Sequence, residues 1–191
     1  MKRTFLIMTV IALLTTHAQA EESVSPEKPT RESAFQTARA AASELILNAM
    51  SLLGVNYKYG GDSPETGFDC SGFVTHVFKE SADITLPRSA HEMSLVGQRV
   101  STKELQPGDL VFYNTLRRAF SHVGIYIGDD KFIHSPSGGR TVEIVDMNEK
   151  YWLKRYQGAR RITQLDQDTG SGFSFAAPAS KPDAELLSIL H

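Results

Sequence analysis

The sequence predicts an α+β fold, with N-terminal helices packed on an antiparallel β-sheet, and three observations carry that prediction. Apolar residues recur at helical spacing up to Gly97, they alternate after it, and turn residues separate each later run from the next. Helices first and strands afterwards favour segregated layers over alternating βαβ units.

The first element is a helix. Ser33 with Gln36 has the spacing of a capping box, and Ala38, Ala41, Ala42, Leu45, Ala49, Leu52 and Leu53 follow at helical spacing until Gly54. It reads as scaffold. The second helix begins inside Gly67-Phe68-Asp69-Cys70-Ser71-Gly72-Phe73-Val74, where Asp69 suits the N-cap. Cys70, Phe73, Val74, Val77 and Phe78 then share one stripe, so the sulfur faces whatever the helix packs on. A third, short helix is expected over 89–95, after Leu86-Pro87. Pro107-Gly108 breaks the chain, and residues 109–113, 122–127, 131–134, 141–145 and 156–162 read as strands.

The ends are of another kind. Lys2 and Arg3, an apolar stretch over 5–14 and Ala18-Gln19-Ala20 form the pattern of a signal peptide over 1–20. A polar linker over 21–32, a folded domain over 33–163 and a flexible tail over 164–191 complete the expected organisation. The apolar stretch is well short of the ~20 residues that a membrane span needs, so no stable anchor is expected. A periplasmic or secreted protein follows. The chain carries 20 basic and 22 acidic residues. It lacks the basic excess of a nucleic-acid binder. The 171 residues that would follow the leader suit one domain, expected to act as a monomer.

Cys70 is the only cysteine, so there is no disulfide, and an unpaired thiol in an exported protein is a candidate reactive group. At a helix N-terminus the backbone dipole favours the thiolate, and such cysteines titrate near ~3.5–7.5 instead of ~8.5. A thiol nucleophile needs a base, and the base needs a group that holds its ring. Of six histidines, His17 leaves with the leader, His191 is terminal and His91 lies on a helix surface. His76 follows Cys70 on the same helix but sits about 240° around it. His122 and His134 remain, on neighbouring strands joined through Asp129-Asp130. His122 would be the base and His134 the orienter.

Strand alternation sets His122, Gly124 and Tyr126 on one face and Val123, Ile125 and Ile127 on the other. Gly124 would leave room for substrate. A plain two-residue loop at 129–130 would put the two histidines on opposite faces, so an odd-length loop or a β-bulge is required. A structural zinc site takes four ligands at short spacings, and these three residues lie far apart, so neither metal nor cofactor is expected.

Six segments in order resemble the motifs of the NlpC family of bacterial cell-wall cysteine peptidases. They are Tyr57-Lys58-Tyr59-Gly60-Gly61, the segment around Cys70, Leu86-Pro87-Arg88-Ser89, Leu105-Gln106-Pro107-Gly108-Asp109-Leu110-Val111-Phe112, Ser121-His122-Val123-Gly124-Ile125-Tyr126-Ile127-Gly128 and Phe132-Ile133-His134-Ser135. The resemblance covers roughly residues 40–163. It implies a papain-like α+β domain that cleaves peptidoglycan stem peptides, with Cys70 as nucleophile, His122 as base and His134 as the third polar residue. It also implies Tyr57 beside the sulfur, Asp69 and Ser71 lining the substrate groove, and Arg88 and Ser89 at its edge. The Asp69 carboxylate would oppose the thiolate, so it is expected to turn toward the substrate's amino group. The Cys70 N–H, with the Tyr57 hydroxyl or a neighbouring N–H, would hold the oxyanion. Two other readings compete. A thiol amidase or acyltransferase on the same scaffold would need an apolar acyl channel, and a non-catalytic wall-binding module would not need the intact Cys-His-His set.

Overall fold

A computed structural model describes residues 30–138 and 140–163. The expected leader, residues 21–29 of the expected linker and the expected tail lie outside the described residues. In chain order the elements are α1 (Arg31–Ser51), β1 (Asp62–Ser63), β2 (Gly67–Phe68), α2 (Cys70–Ala82), α3 (Ala90–Met93), β3 (Gln98–Val100), β4 (Leu110–Tyr113), β5 (His122–Gly128), β6 (Lys131–His134), β7 (Glu143–Asp146), α4 (Lys150–Leu153) and β8 (Tyr156–Arg161). Strands β3 to β8 form one antiparallel sheet in the order β3-β8-β4-β5-β6-β7. The α+β expectation holds.

Two local expectations are corrected. Thr30, not Ser33, caps α1: the Thr30 hydroxyl accepts from the Ser33 N–H, and the Gln36 amide donates to Glu32 instead of closing a box. Threonine is also a favoured N-cap residue, and with Thr30 in that place the helix starts earlier and takes in the last two residues of the expected linker. The strand expected over 141–145 starts at Glu143, because Thr141 and Val142 are drawn aside to Asn56, Val55 and Gly54. Strand β3 and helix α4 were not anticipated, since three or four residues show no periodicity.

The sheet is covered on both faces. Leu45 and Ala49 of α1 and Phe73, Val74, Val77 and Phe78 of α2 pack against Leu110, Phe112, Val123, Ile125 and Ile133. On the opposite face Val111, Tyr113, Tyr126, Phe132 and Trp152 form a second cluster. Each such side chain contributes about 1.5–3 kcal/mol on burial. This explains why all four residues of β4 are buried, where simple alternation would leave half of them wet.

The β5–β6 hairpin carries the parity device that the two histidines require. Ile125 pairs with Ile133 and Tyr126 with Phe132, but Gly128 pairs with Lys131, so Ile127 is the extra residue of a β-bulge. Asp129 and Asp130, with φ of 50° and 54°, make the two-residue turn. His122 and His134 therefore emerge on the same face. A Cβ on Gly124 would lie 2.5 Å from the Phe132 ring, 2.9 Å from the Ile133 carbonyl oxygen and 3.2 Å from His134 Cβ. The space beside Gly124 thus holds Phe132 and His134, not substrate, which corrects the earlier expectation.

Candidate active site

Helix α2 starts at Cys70 because Asp69, extended at φ −85° and ψ 176°, caps it by accepting the Gly72 N–H at 2.6 Å. Gly72 has no side chain for a reason: a Cβ there would lie 2.0 Å from the Gly61 carbonyl oxygen, so the 60–61 turn rests directly on the helix start. That turn brings more donors to the cap. The Gly60 N–H reaches Asp69 Oδ2 at 3.1 Å, and Arg88 donates from Nη1 to Oδ1 and from Nη2 to Oδ2, each at 2.9 Å. Ser71, buried, donates to Asp69 Oδ1 at 3.0 Å and accepts from Arg88 Nη1 at 2.9 Å. Burial alone would raise the Asp69 carboxyl, but Arg88, the Gly72 N–H and Ser71 hold it below the ordinary carboxylate range.

Asp69 is therefore bound within the protein and does not stand free toward a substrate amino group. Ser89 likewise has a structural task, because it caps α3 in a reciprocal box with Glu92. Tyr57 lies alongside β2, bridged to Phe68, and its hydroxyl is raised first by burial and then by the neighbouring Cys70 and Asp69. Tyr57 and Cys70 thus lie close enough to feel each other's charge.

The thiol departs from expectation. Burial, followed by the Asp69 carboxylate, pushes Cys70 up to about 11, against the N–H groups of Val123, Ser71 and Cys70 that face the sulfur and pull it down. The helix N-terminus is outweighed, since desolvating a thiolate costs more than two or three N–H groups return. The balance favours the protonated thiol at neutral pH.

The Val123 N–H that faces the sulfur follows directly on His122, so the start of β5 runs past the thiol. His122 Nε2 lies 2.8 Å from His134 Nδ1, both rings being buried. That leaves Nδ1 as the His122 nitrogen available to a thiol proton. Trp152 stacks on His122 at 5.8 Å and meets His134 edge-on at 5.0 Å, while Phe132 lies 5.0 Å from His134. Burial in this aromatic enclosure pushes His122 down to about 4. Burial, then His122 and Arg140, push His134 down as well. Beyond the pair opens a cavity of about 270 Å³ lined by His122, His134, Arg140, Glu143, Glu149 and Trp152.

Cys70, Tyr57, Asp69, Ser71 and Arg88 thus surround the start of α2, while His122 and His134 form a bonded pair from the start of β5 and the end of β6. His76 packs against Phe68 at 5.1 Å and His91 is exposed, as their positions predicted. Trp152 and Glu143 escaped the sequence reading. The lone tryptophan was the available signal for the first; the second had none.

A family model described as NlpC/P60 family matches residues 54–161. Murein DD-endopeptidase MepH of Escherichia coli is 42% identical over 125 residues, spanning 63% of this chain and 46% of that protein. A gamma-DL-glutamyl hydrolase of Bacillus subtilis is 40% identical over 122 residues, spanning 63% of this chain and 29% of that protein. The chain spans about half the length, or less, of these curated relatives. Among solved structures, an NlpC/P60 family protein from Bacillus cereus matches with a TM-score of 0.59 at 40% identity, over 63% of this chain and 39% of that one. The peptidoglycan hydrolase RipB of Mycobacterium tuberculosis matches with a TM-score of 0.57 at 26% identity, over 68% of each chain. The α+β architecture is the papain-like arrangement of these domains.

Proposed function

Because this chain belongs to the NlpC/P60 family, we propose that it is a cysteine endopeptidase that hydrolyses an amide bond in the stem peptides of peptidoglycan. The observation that carries the reading is the 2.8 Å bond between His122 Nε2 and His134 Nδ1, on the strand whose Val123 N–H faces the Cys70 sulfur. Cys70 attacks the amide carbonyl as its proton passes to His122 Nδ1. The positive charge on His122 is stabilised through His134, and the oxyanion is held by the Cys70 N–H and the Tyr57 hydroxyl. His122 then protonates the departing amine, and water, deprotonated by the same imidazole, releases the thioester.

Relatives of comparable identity are named for different bonds, one a DD-endopeptidase and the other a gamma-DL-glutamyl hydrolase. A cross-link bond and a γ-glutamyl bond are therefore the two candidate targets. The predicted signal peptide supports action in the cell envelope after export, and among the described residues no helix is long and apolar enough to cross a membrane. Digestion of defined muropeptides by the wild-type protein and by Cys70→Ala, followed by mass spectrometry, tests the reading. Cleavage by the wild type alone is expected, and the product masses name the bond. Cleavage by both proteins removes the thiol mechanism, and cleavage by neither favours a binding module or the acyltransferase.

A further inference from the structure

We infer that Glu143 is a positioning residue for the His122–His134 pair, and that Arg140 sets how strongly it acts. The inference rests on the proposed roles of Cys70 and His122. Strands β6 and β7 pair so that His134 stands directly across from Glu143. His134 is fully buried, at 0% exposure, and its Nε2 has no hydrogen-bond partner among the described residues. Glu143 Oε1, itself buried, lies 3.7 Å from that nitrogen. Arg140 Nη2 lies 2.6 Å from the same oxygen, from a side chain that is 61% exposed.

The chemistry follows from the two rings' tautomers. To accept a thiol proton, His122 must keep Nδ1 bare, so it carries its hydrogen on Nε2 and donates to His134 Nδ1. His134 then carries its hydrogen on Nε2, facing Glu143. In the reverse arrangement His134 donates from Nδ1, His122 is protonated at Nδ1, and it cannot act as a base. A carboxylate beside His134 Nε2 favours the productive arrangement. It also stabilises the imidazolium that forms when the thiol proton crosses to His122. Arg140 works against this by sharing the carboxylate's charge.

The other charged and titratable groups around the pair are few. Glu149, at the N-cap of α4, and Tyr151, within it, line the same cavity, and Tyr57, Asp69 and Arg88 stand on the thiol side. None of these is the cross-strand partner of His134. Thr141 and Val142, bridged and bonded to the 54–57 segment, anchor the chain that joins Arg140 to Glu143.

Because Cys70 is the only cysteine, iodoacetamide reports on its environment without any wall substrate. The test is the pH dependence of the alkylation rate in the full chain, for the wild type, Glu143→Gln, Glu143→Asp and Arg140→Gln. Glu143→Gln is expected to move the acid limb to lower pH and to slow alkylation at neutral pH roughly tenfold. Arg140→Gln, at an exposed position, is expected to move the limb to higher pH and speed the reaction, with Glu143→Asp falling between Glu143→Gln and the wild type. Opposite shifts are not what simple loosening of the fold produces. Wild-type profiles in both Gln variants, or shifts in the same direction, overturn the inference. Muropeptide cleavage by Cys70→Ala would instead remove the underlying mechanism, so the two failures are distinguishable.

Discussion

Arg88 holds both carboxylate oxygens of Asp69, Nη1 at 2.9 Å from Oδ1 and Nη2 at 2.9 Å from Oδ2, and the carboxylate it balances is the charge that, after burial, pushes the Cys70 thiol up. The helix cap and the Cys70 thiol are thereby coupled through one guanidinium. Replacing Arg88 with Ala should leave the Asp69 charge bare, raise the thiol further and slow iodoacetamide alkylation at neutral pH several-fold. With Arg88 partly exposed, the accompanying loss of stability should be about 1 kcal/mol. Arg88→Lys restores charge without the bidentate fork and should recover part of the rate. An unchanged rate in Arg88→Ala would show that Asp69 does not govern the thiol.

Stability should fall on acidification before the carboxylates titrate. His122 is held at about 4 in the folded state, below its ordinary 6.5, so the unfolded chain binds more protons between these values. The contribution is complete above 6.5 and is lost as pH falls toward 4; His134, also depressed, adds in the same direction. Urea midpoints recorded from pH 7 to pH 4 should decline in the wild type and decline less in a His134→Asn variant. Cys70, raised to about 11, acts with the opposite sign, its contribution being lost as pH rises from 9 toward 11.

Gly124→Ala would drive a methyl group into the Phe132 ring, the Ile133 carbonyl and His134 Cβ. A destabilisation of about 1–3 kcal/mol is expected, together with lost activity as His134 moves. Denaturant unfolding and muropeptide turnover measure the two effects separately. Full activity in this variant would contradict the packing described for the hairpin.

Trp152→Ala removes the ring stacked on His122 and lets water reach the pair. The protein should lose about 3–5 kcal/mol. Its His122 should also titrate closer to 6.5, because burial is what holds it down. The acid limb of the activity profile should then move upward, whereas Trp152→Phe, which keeps a ring, should shift it less.

Tyr57→Phe tests the oxyanion role. The hydroxyl is raised above its ordinary value and so remains a donor at neutral pH. If it serves the developing charge, its removal should lower kcat by about 10²-fold and leave KM nearly unchanged. A change confined to KM would make Tyr57 a substrate contact instead.

Much of this was legible along the chain because it depends on near neighbours. The start of α2 at Asp69–Cys70 followed from a cap residue and an apolar stripe, and the demand for a bulge between His122 and His134 followed from strand parity alone. The choice of cap for α1 went astray because Thr30 and Ser33 are chemically equivalent candidates three residues apart. Glu143 gave no sign, since its importance lies in a cross-strand register with His134 that no local pattern records. The aromatic enclosure was equally hidden: Trp152 reaches the histidines from a four-residue helix at the far end of the domain.

By itself, then, the order of residues determined which groups could do chemistry, where α2 would begin, and that two histidines had to share a face. Only the tertiary structure decided their ionisation and their partners. The backbone dipole that argued for a thiolate is a local field, while the burial and the Asp69 charge that keep Cys70 protonated come from packing around the whole site. The same distinction separates Asp69 as an expected substrate contact from Asp69 as the bound counterpart of Arg88. Caps and periodicities are settled within one or two turns of chain, but desolvation and charge pairing depend on residues brought together from far along it.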